Sequence, residues 1–515
     1  MWLGALLGLV ISVSTSLAAT DDRPVASTDG PVDYEAFGAI GDGIADDLPA
    51  IVKAHEFANE RGLPVKTKPG ATYNLGRRSL TAVISTDTDW GTSRFTIVDR
   101  EVENHRTSLF VVRSKFPSLP LSIPRLTRDQ RNLDVHPARD CWVRVEDNRK
   151  RLFIREGLNQ NQGLVQRDCF ILHRDGSIEG DIDWEYDAPT GIVALPLDEH
   201  PLLVKGGIFT TTANQLQQPG GYDYWARNIA VERSNTTVEQ VTHRVIGEGE
   251  FGNPYRGFIS VTRCANVTLR GCFVTGHKIY STIGAAGKPV NMGTYDLNAS
   301  EVVNLTVAGC RMDNINDKTL WGVIGTNFCK NILLEDCILS RMDTHEGVSG
   351  TYTFRRCTLG YAGLNAIGRG TLVVEDCTLY GRTLIRLRSD YGSTWDGTVT
   401  VRNCRWTPDC GAVIQPYIMD TINPGQHDFG YPCFMPREIT IDGLVIDDTH
   451  HPSDYVGPYI FTDPDGGKSI AASHPFPYRP TERVTIRRLT TASGKRPLTS
   501  TNSELNRRVQ VIEIN

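Results

Sequence analysis

The segments NVTLRGCFV (266–274), NLTVAGCRM (304–312), NILLEDCIL (331–339), TYTFRRCTL (351–359), TLVVEDCTL (371–379) and TVTVRNCRW (398–406) repeat one pattern. Each carries Asn or Thr six residues before a Cys, apolar side chains five and three before it, and another two after it. Apolar residues alternating with polar or small ones describe a strand with one buried face. The buried pairs are Val267/Leu269, Leu305/Val307, Ile332/Leu334, Tyr352/Phe354, Leu372/Val374 and Val399/Val401. A turn-like residue follows each strand (Gly271, Gly309, Asp336, Arg356, Asp376 or Asn403), and the Cys after it points inward again.

Successive cysteines lie 38, 27, 20, 20 and 27 residues apart. Some twenty residues make one turn of a three-strand solenoid, and the longer intervals are turns that carry a loop. Stacked at the strand-pairing distance, Cys272, Cys310, Cys337, Cys357, Cys377 and Cys404 form one interior column. Leu444 and Leu489 continue it in ITIDGL (439–444) and VTIRRL (484–489), and Val241 precedes it in NTTVEQV (235–241). Substitution by Leu and Val marks Cys as a small buried apolar residue; the spacing leaves thiol and disulfide both open. No Cys-x-x-Cys pair points to structural zinc. Four glycosylation-type sequons occur at Asn235, Asn266, Asn298 and Asn304. Three of them sit in the Asn/Thr column, where an asparagine turn ladder explains them without a glycan.

Working outward, the 515-residue chain has 22% charged residues and a formal net charge of −6. That balance gives no basic excess for phosphate and argues against a nucleic-acid partner. Met1–Ala19 is an apolar run ending in small residues, which reads as a signal peptide cleaved near Ala18 or Ala19. It has no positive n-region. The expectation is a secreted or periplasmic protein, with no membrane contact after cleavage.

Residues 32–75 contain Phe37-Gly-Ala-Ile-Gly-Asp-Gly43 followed by Asp46-Asp47 and Pro49. Asp46 or Asp47 is expected to cap a helix reaching about Asn59, with Gly62 ending it, to plug the open end of the solenoid. This stretch resembles the N-terminal signature of the pectate-lyase-like superfamily. The resemblance takes in residues 32–75 and about 200–490. It implies a right-handed parallel β-helix, all-β apart from its cap, and a polysaccharide or oligosaccharide substrate. It does not imply one reaction, because the superfamily holds hydrolases, lyases, epimerases and tailspikes. The Asn-Thr-Asp, Asp-Asp, Gly-His-Gly and Arg-Ile-Lys motifs of polygalacturonases are not present in register. Residues 76–200 lack the column and read as irregular early coils or an inserted β-subdomain that could wall a cleft; residues 201–515 read as the helix proper.

Counting six and eight residues beyond each Cys places Lys278, Tyr280, Lys318, Asp343, His345 and Asn365 on a shared face, joined by Arg386, Arg388 and Asp390 from the longer coil. Asp-x-His puts a carboxylate and an imidazole on one side of a strand. Asp343, His345, Arg388 and Asp390 are the catalytic candidates. Lys278, Tyr280, Lys318, Arg341, Glu346, Asn365, Arg386, Tyr391, Trp395 and Asp396 are candidates for holding substrate. The favoured chemistry is glycoside hydrolysis, with Asp343 and Asp390 (or Asp396) as acid and base. The alternatives are a polysaccharide lyase, with Arg388 or Lys318 neutralising a uronate and His345 or Tyr391 taking the α-proton, and a non-catalytic glycan-binding protein. A polar stripe that is only a solvated face would explain the same residues. No cofactor and no metal are expected.

Overall fold

In the computed structural model, which describes residues 30–154, 163–283, 289–423, 427–465 and 478–514, the chain folds as a parallel β-helix. The proposed signal peptide lies outside the described residues. Among these residues no helix is long and apolar enough to cross a membrane.

The repeats set the register. Strand Ile259–Arg270 pairs in parallel with Thr294–Ala308, which pairs with Cys329–Glu335, then Val348–Arg355, Gly368–Glu375, Trp395–Trp406, Glu438–Ile446 and Arg483–Arg487. All six column cysteines are buried, and Leu444 lies directly against Cys404 in register. The twelve cysteines are free thiols, eleven of them buried.

The turns explain the polar residues around the column. Asn266 Nδ2 donates to Asn235 Oδ1 at 3.0 Å, Asn304 to Asn266 at 2.8 Å and Asn331 to Asn304 at 3.0 Å. All four asparagines have positive φ, the left-handed conformation that Asn tolerates best after Gly. The residue before each Cys is left-handed too, from Gly271 (φ 59°) through Asp336, Arg356 and Asp376 to Asn403 (φ 49°). Each coil thus bends at two fixed columns, and long loops leave only between them.

The N-terminal helix spans Leu48–Arg61 and ends on Gly62 at φ 69°. Asp47 does not cap it with its side chain. Its carboxylate turns back to accept the amides of Ile40 (2.7 Å) and Asn74 (3.3 Å), while Asp46 accepts that of Leu48 at 3.2 Å. Leu48, Ile51, Ala54, His55 and Ala58 bury against the first coils.

Strand Thr88–Val98 belongs to an early coil and pairs with Leu202–Thr212. Between them a four-stranded antiparallel sheet (Cys141–Leu152, Leu164–Leu172, Ile178–Glu179, Gly191–Pro196) packs Val143, Phe170 and Tyr186 into a second apolar cluster shared with Phe328, Ile367 and Tyr391 of the later coils. It docks through buried Lys330, which reaches Asp168 and, at 3.3 Å, Asp183, and through Arg369, Arg128 and Trp142.

Candidate functional site

The sheet face opposite the core interior carries a polar floor. Registers align Ser260 with Asn298 and Gly325, then Asp343, and align Thr262 with Ser300 and Asn327. The alternation that buries Val261 and Ala299 turns their neighbours outward. The floor opens into a cleft of about 490 Å³, walled by Tyr222, Tyr224 and Arg256 from the preceding loops and by Arg388 and Tyr391 from a later coil. None of the described residues of 76–200 lines it; the inserted subdomain instead shares its apolar cluster with Tyr391 of the cleft wall.

Asp343 stands at the centre with its side chain fully buried. Its carboxylate meets Arg388 Nη1 at 2.6 Å, Arg341 Nη2 at 2.7 Å and His345 Nε2 at 2.8 Å. The Tyr295 hydroxyl lies 3.4 Å from the same Oδ2 and 2.8 Å from His345 Nε2. Burial alone would raise the Asp343 pKa, but Arg341, Arg388 and His345 outweigh it and hold the carboxyl well below its usual range. Burial, reinforced by Asp343, pushes the Tyr295 phenol well above its ordinary value, so it keeps its proton.

Aromatic packing fixes the imidazole. Tyr391 stacks on His345 at 5.3 Å and 10°, and Tyr295 meets its edge at 5.2 Å and 88°. In the neutral ring, a proton on Nε2 would face the Asp343 carboxylate and leave the lone pair on Nδ1. Nδ1 makes no hydrogen bond to the described residues, and His345 lines the cleft.

Arg388 bridges two carboxylates. Its Nε and Nη2 chelate Asp390 at 2.9 and 2.6 Å while Nη1 holds Asp343, and its guanidinium lies 4.7 Å from the Tyr391 ring centre. Its backbone is left-handed (φ 59°), a conformation costing a non-glycine residue about 1–2 kcal/mol. The chain leaves strand Thr383–Arg386 there for the single turn Ser389–Tyr391, and this places the guanidinium. Arg256 is exposed at the rim and forms no ion pair with the described residues.

Of the residues read from the sequence, Arg341, Asp343, His345, Glu346, Arg388 and Tyr391 meet at the cleft, and Asp390 stands behind Arg388. The others lie elsewhere. Lys278 Nζ binds the Gly249 carbonyl at 2.9 Å, and Tyr280 begins a hairpin with Pro289–Met292. Lys318 pairs with Asp409 at 3.1 Å, and Arg386 faces Asp420 at 3.7 Å. Asn365 is buried against the Met342 and Ala362 carbonyls. Trp395 is wholly inside the core and cannot stack on a sugar. Asp396 is clamped by Arg128 and Arg437 at the subdomain junction.

Tyr295, Asn298, Ser300, Ser260 and Arg256 were not legible by counting forward, because the loops between each Cys and the next floor strand differ in length. Counting back is regular: Ser260, Asn298 and Gly325 each lie twelve residues before their Cys. Among the described residues one group could hold a metal, His243, His277 and Asp296, and none of the three lines the cleft.

No family model matches the chain. It is similar to the capsule KL64-specific depolymerase of Klebsiella phage P510, 28% identical over 122 residues, which is 21% of this chain and 12% of that protein's length. In fold it is similar to the Pseudomonas phage phi297 tailspike gp61 (TM-score 0.51, 11% identity, 94% of this chain and 84% of that one). It is likewise similar to the gp54 tailspike of Acinetobacter baumannii bacteriophage AP22, solved with A. baumannii capsular saccharide (TM-score 0.51, 9% identity, 96% and 82%).

Proposed function

We propose that the chain degrades an acidic polysaccharide by β-elimination, with His345 as the base. The observation that carries this reading is the state of the two carboxylates. Asp343 and Asp390 grip opposite edges of one guanidinium, so no glycosidic oxygen fits between them along that line. Asp343, ionised and buried, has no proton to give. An acid–base pair for hydrolysis needs an open gap and a protonated carboxyl. A dyad that pins the imidazole proton on Nε2 needs neither, and it leaves Nδ1 free to abstract a proton α to a carboxylate.

In this reading a uronate carboxylate meets Arg256 at the rim, which stabilises the charge that develops as the α-proton leaves. The Nδ1 of His345 takes that proton. The Tyr295 phenol, 2.8 Å from the same ring, donates a proton to the departing glycosidic oxygen. Asn298, Ser300 and Asn327 offer hydrogen bonds to sugar hydroxyls along the floor. The similarity to a capsule depolymerase and to a tailspike solved with capsular saccharide supports an extracellular glycan as substrate.

Glu346 keeps hydrolysis in view as a second reading, since it brings another carboxylate to the cleft. Purified chain incubated with a panel of acidic and neutral polysaccharides separates the two. Elimination raises ultraviolet absorbance in step with new reducing ends, on acidic glycans only. Reducing ends without absorbance would refute it. His345→Gln should lower turnover about 10²- to 10⁴-fold, whereas Glu346→Gln should not.

A further inference from the structure

We infer that His243, His277 and Asp296 form a binding site for one borderline divalent transition metal, of the zinc class, behind the cleft. The three residues come from separate strands, Thr242–Ile246, His277–Lys278 and Thr294–Ala308. They are 3%, 1% and 0% exposed, and one ligand atom from each lies within 4.8 Å of the others.

The unsatisfied atoms point to a ligand. His243 Nδ1, both nitrogens of His277 and both oxygens of Asp296 are buried without a well-formed hydrogen bond. Buried polar atoms are rarely left so, and each costs about 1–3 kcal/mol. Three of the five meet only in ion-pair contacts, His277 Nε2 with Asp296 Oδ1 and His277 Nδ1 with Glu248, while His243 Nδ1 and Asp296 Oδ2 have no partner among the described residues, an arrangement that an ion would complete. The outer contacts are those of a metal site as well. His243 turns Nε2 to Thr211 Oγ1 at 2.9 Å, which directs Nδ1 to the cluster, and its ring stacks on Phe258 at 3.7 Å. His277 turns Nε2 to Asp296 Oδ1 at 3.1 Å, and Glu248 lies 3.4 Å from its Nδ1. A carboxylate on the far nitrogen of a histidine orients that ligand and strengthens it.

Ligand type selects the ion. Two imidazoles and one carboxylate suit zinc and its neighbours, whereas calcium and magnesium prefer oxygen alone. Tetrahedral zinc with bonds of about 2.0–2.1 Å needs donor atoms about 3.3 Å apart. The His277–Asp296 separation of 3.1 Å already fits, and the His243 ligand atom lies within 4.8 Å of both. Asp296 follows Tyr295, and successive strand residues face opposite ways. The ion would therefore anchor the strand that presents the Tyr295 phenol to the cleft.

The test uses the full chain, stripped with a chelator and titrated with Zn²⁺ against a competing indicator, with bound metal counted by elemental analysis. One equivalent per chain is expected, with a zinc-dependent rise in melting temperature. His277→Gln and Asp296→Asn, shown to be folded by circular dichroism, should each abolish it. Glu248→Gln, outside the ligand set, should keep one equivalent but weaken it about 10- to 100-fold, and serves where the ligand variants do not fold. No bound zinc in folded wild-type protein, zinc retained in the folded ligand variants, or unchanged affinity in Glu248→Gln would overturn the assignment. None of these readouts depends on glycan cleavage.

Discussion

Gly325 offers the sharpest test of how the cleft is built. It sits in the floor between Asn298 and Asp343, and the ring of Tyr295 lies across it. A Cβ added there would stand 2.5 Å from Tyr295 Cδ1 and 2.9 Å from Cε1. Carbon atoms pack at about 3.5–4.0 Å, so in Gly325→Ala the ring must retreat by about 1 Å. The Tyr295 hydroxyl now lies 2.8 Å from His345 Nε2, and such a retreat carries it to the limit at about 3.6 Å where a hydrogen bond ceases. One lost neutral hydrogen bond costs stability only about 1 kcal/mol. A misplacement of about 1 Å in a catalytic constellation costs turnover about 10²-fold. Tyr295→Phe, which keeps the ring and removes the hydroxyl, should match it in turnover. The assay is initial-rate depolymerisation of a glycan that the wild-type chain cleaves, with urea melts run alongside. Folded Gly325→Ala protein with turnover within a few-fold of wild type would refute the role given to Tyr295.

Asp343→Asn should cost about 3–5 kcal/mol in urea unfolding, since it leaves Arg341 and Arg388 buried without that charge, whereas His345→Gln should lose turnover with little change in stability; equal melts for the two variants would contradict this. Acid should loosen the N-terminal cap. Burial pushes the His55 pKa down from 6.5 to about 3, so between those values the unfolded chain binds a proton that the folded chain refuses. Stability therefore falls with falling pH across that window, by about 1.4 kcal/mol per pH unit. His55→Gln should flatten that slope in melts at graded pH, and an unchanged slope would count against it. Thiol titration of native protein should find about one reactive group, half-exposed Cys410, with the other eleven reacting only on unfolding; rapid reaction of several would contradict the buried column.

The fold was legible because a solenoid repeats its burial pattern in sequence. Val267/Leu269 and their five counterparts, with the cysteine after each turn, carry the register without any long-range inference. The site was legible on the coil where Cys337 runs into its floor strand without a loop and, in part, on the longer coil after Cys377. Asp343, His345 and Arg341 are read from the first, and Arg388 and Asp390 from the expected strand of the second, with Tyr391 beside them. Tyr295 and Asn298 were hidden by the long loop after Cys272, which forms a hairpin before the chain rejoins the floor. Trp395 and Asn365 failed for a different reason: composition suggested a sugar platform and a polar contact, but both side chains are buried, one of them in the core. The left-handed turn at Arg388 has no sequence signal at all, since arginine is not a residue that favours it. Nor had the grouping of His243, His277 and Asp296, which only the stacking of separate coils brings together.

The most direct measurement of the central claim is mass spectrometry of the oligosaccharides released from an acidic glycan in ¹⁸O-enriched water. Elimination by His345 predicts new non-reducing ends carrying an unsaturated uronate, with no oxygen from water incorporated at the cleaved bond. Saturated ends, and products that have gained labelled oxygen from the solvent at cleavage, would contradict it.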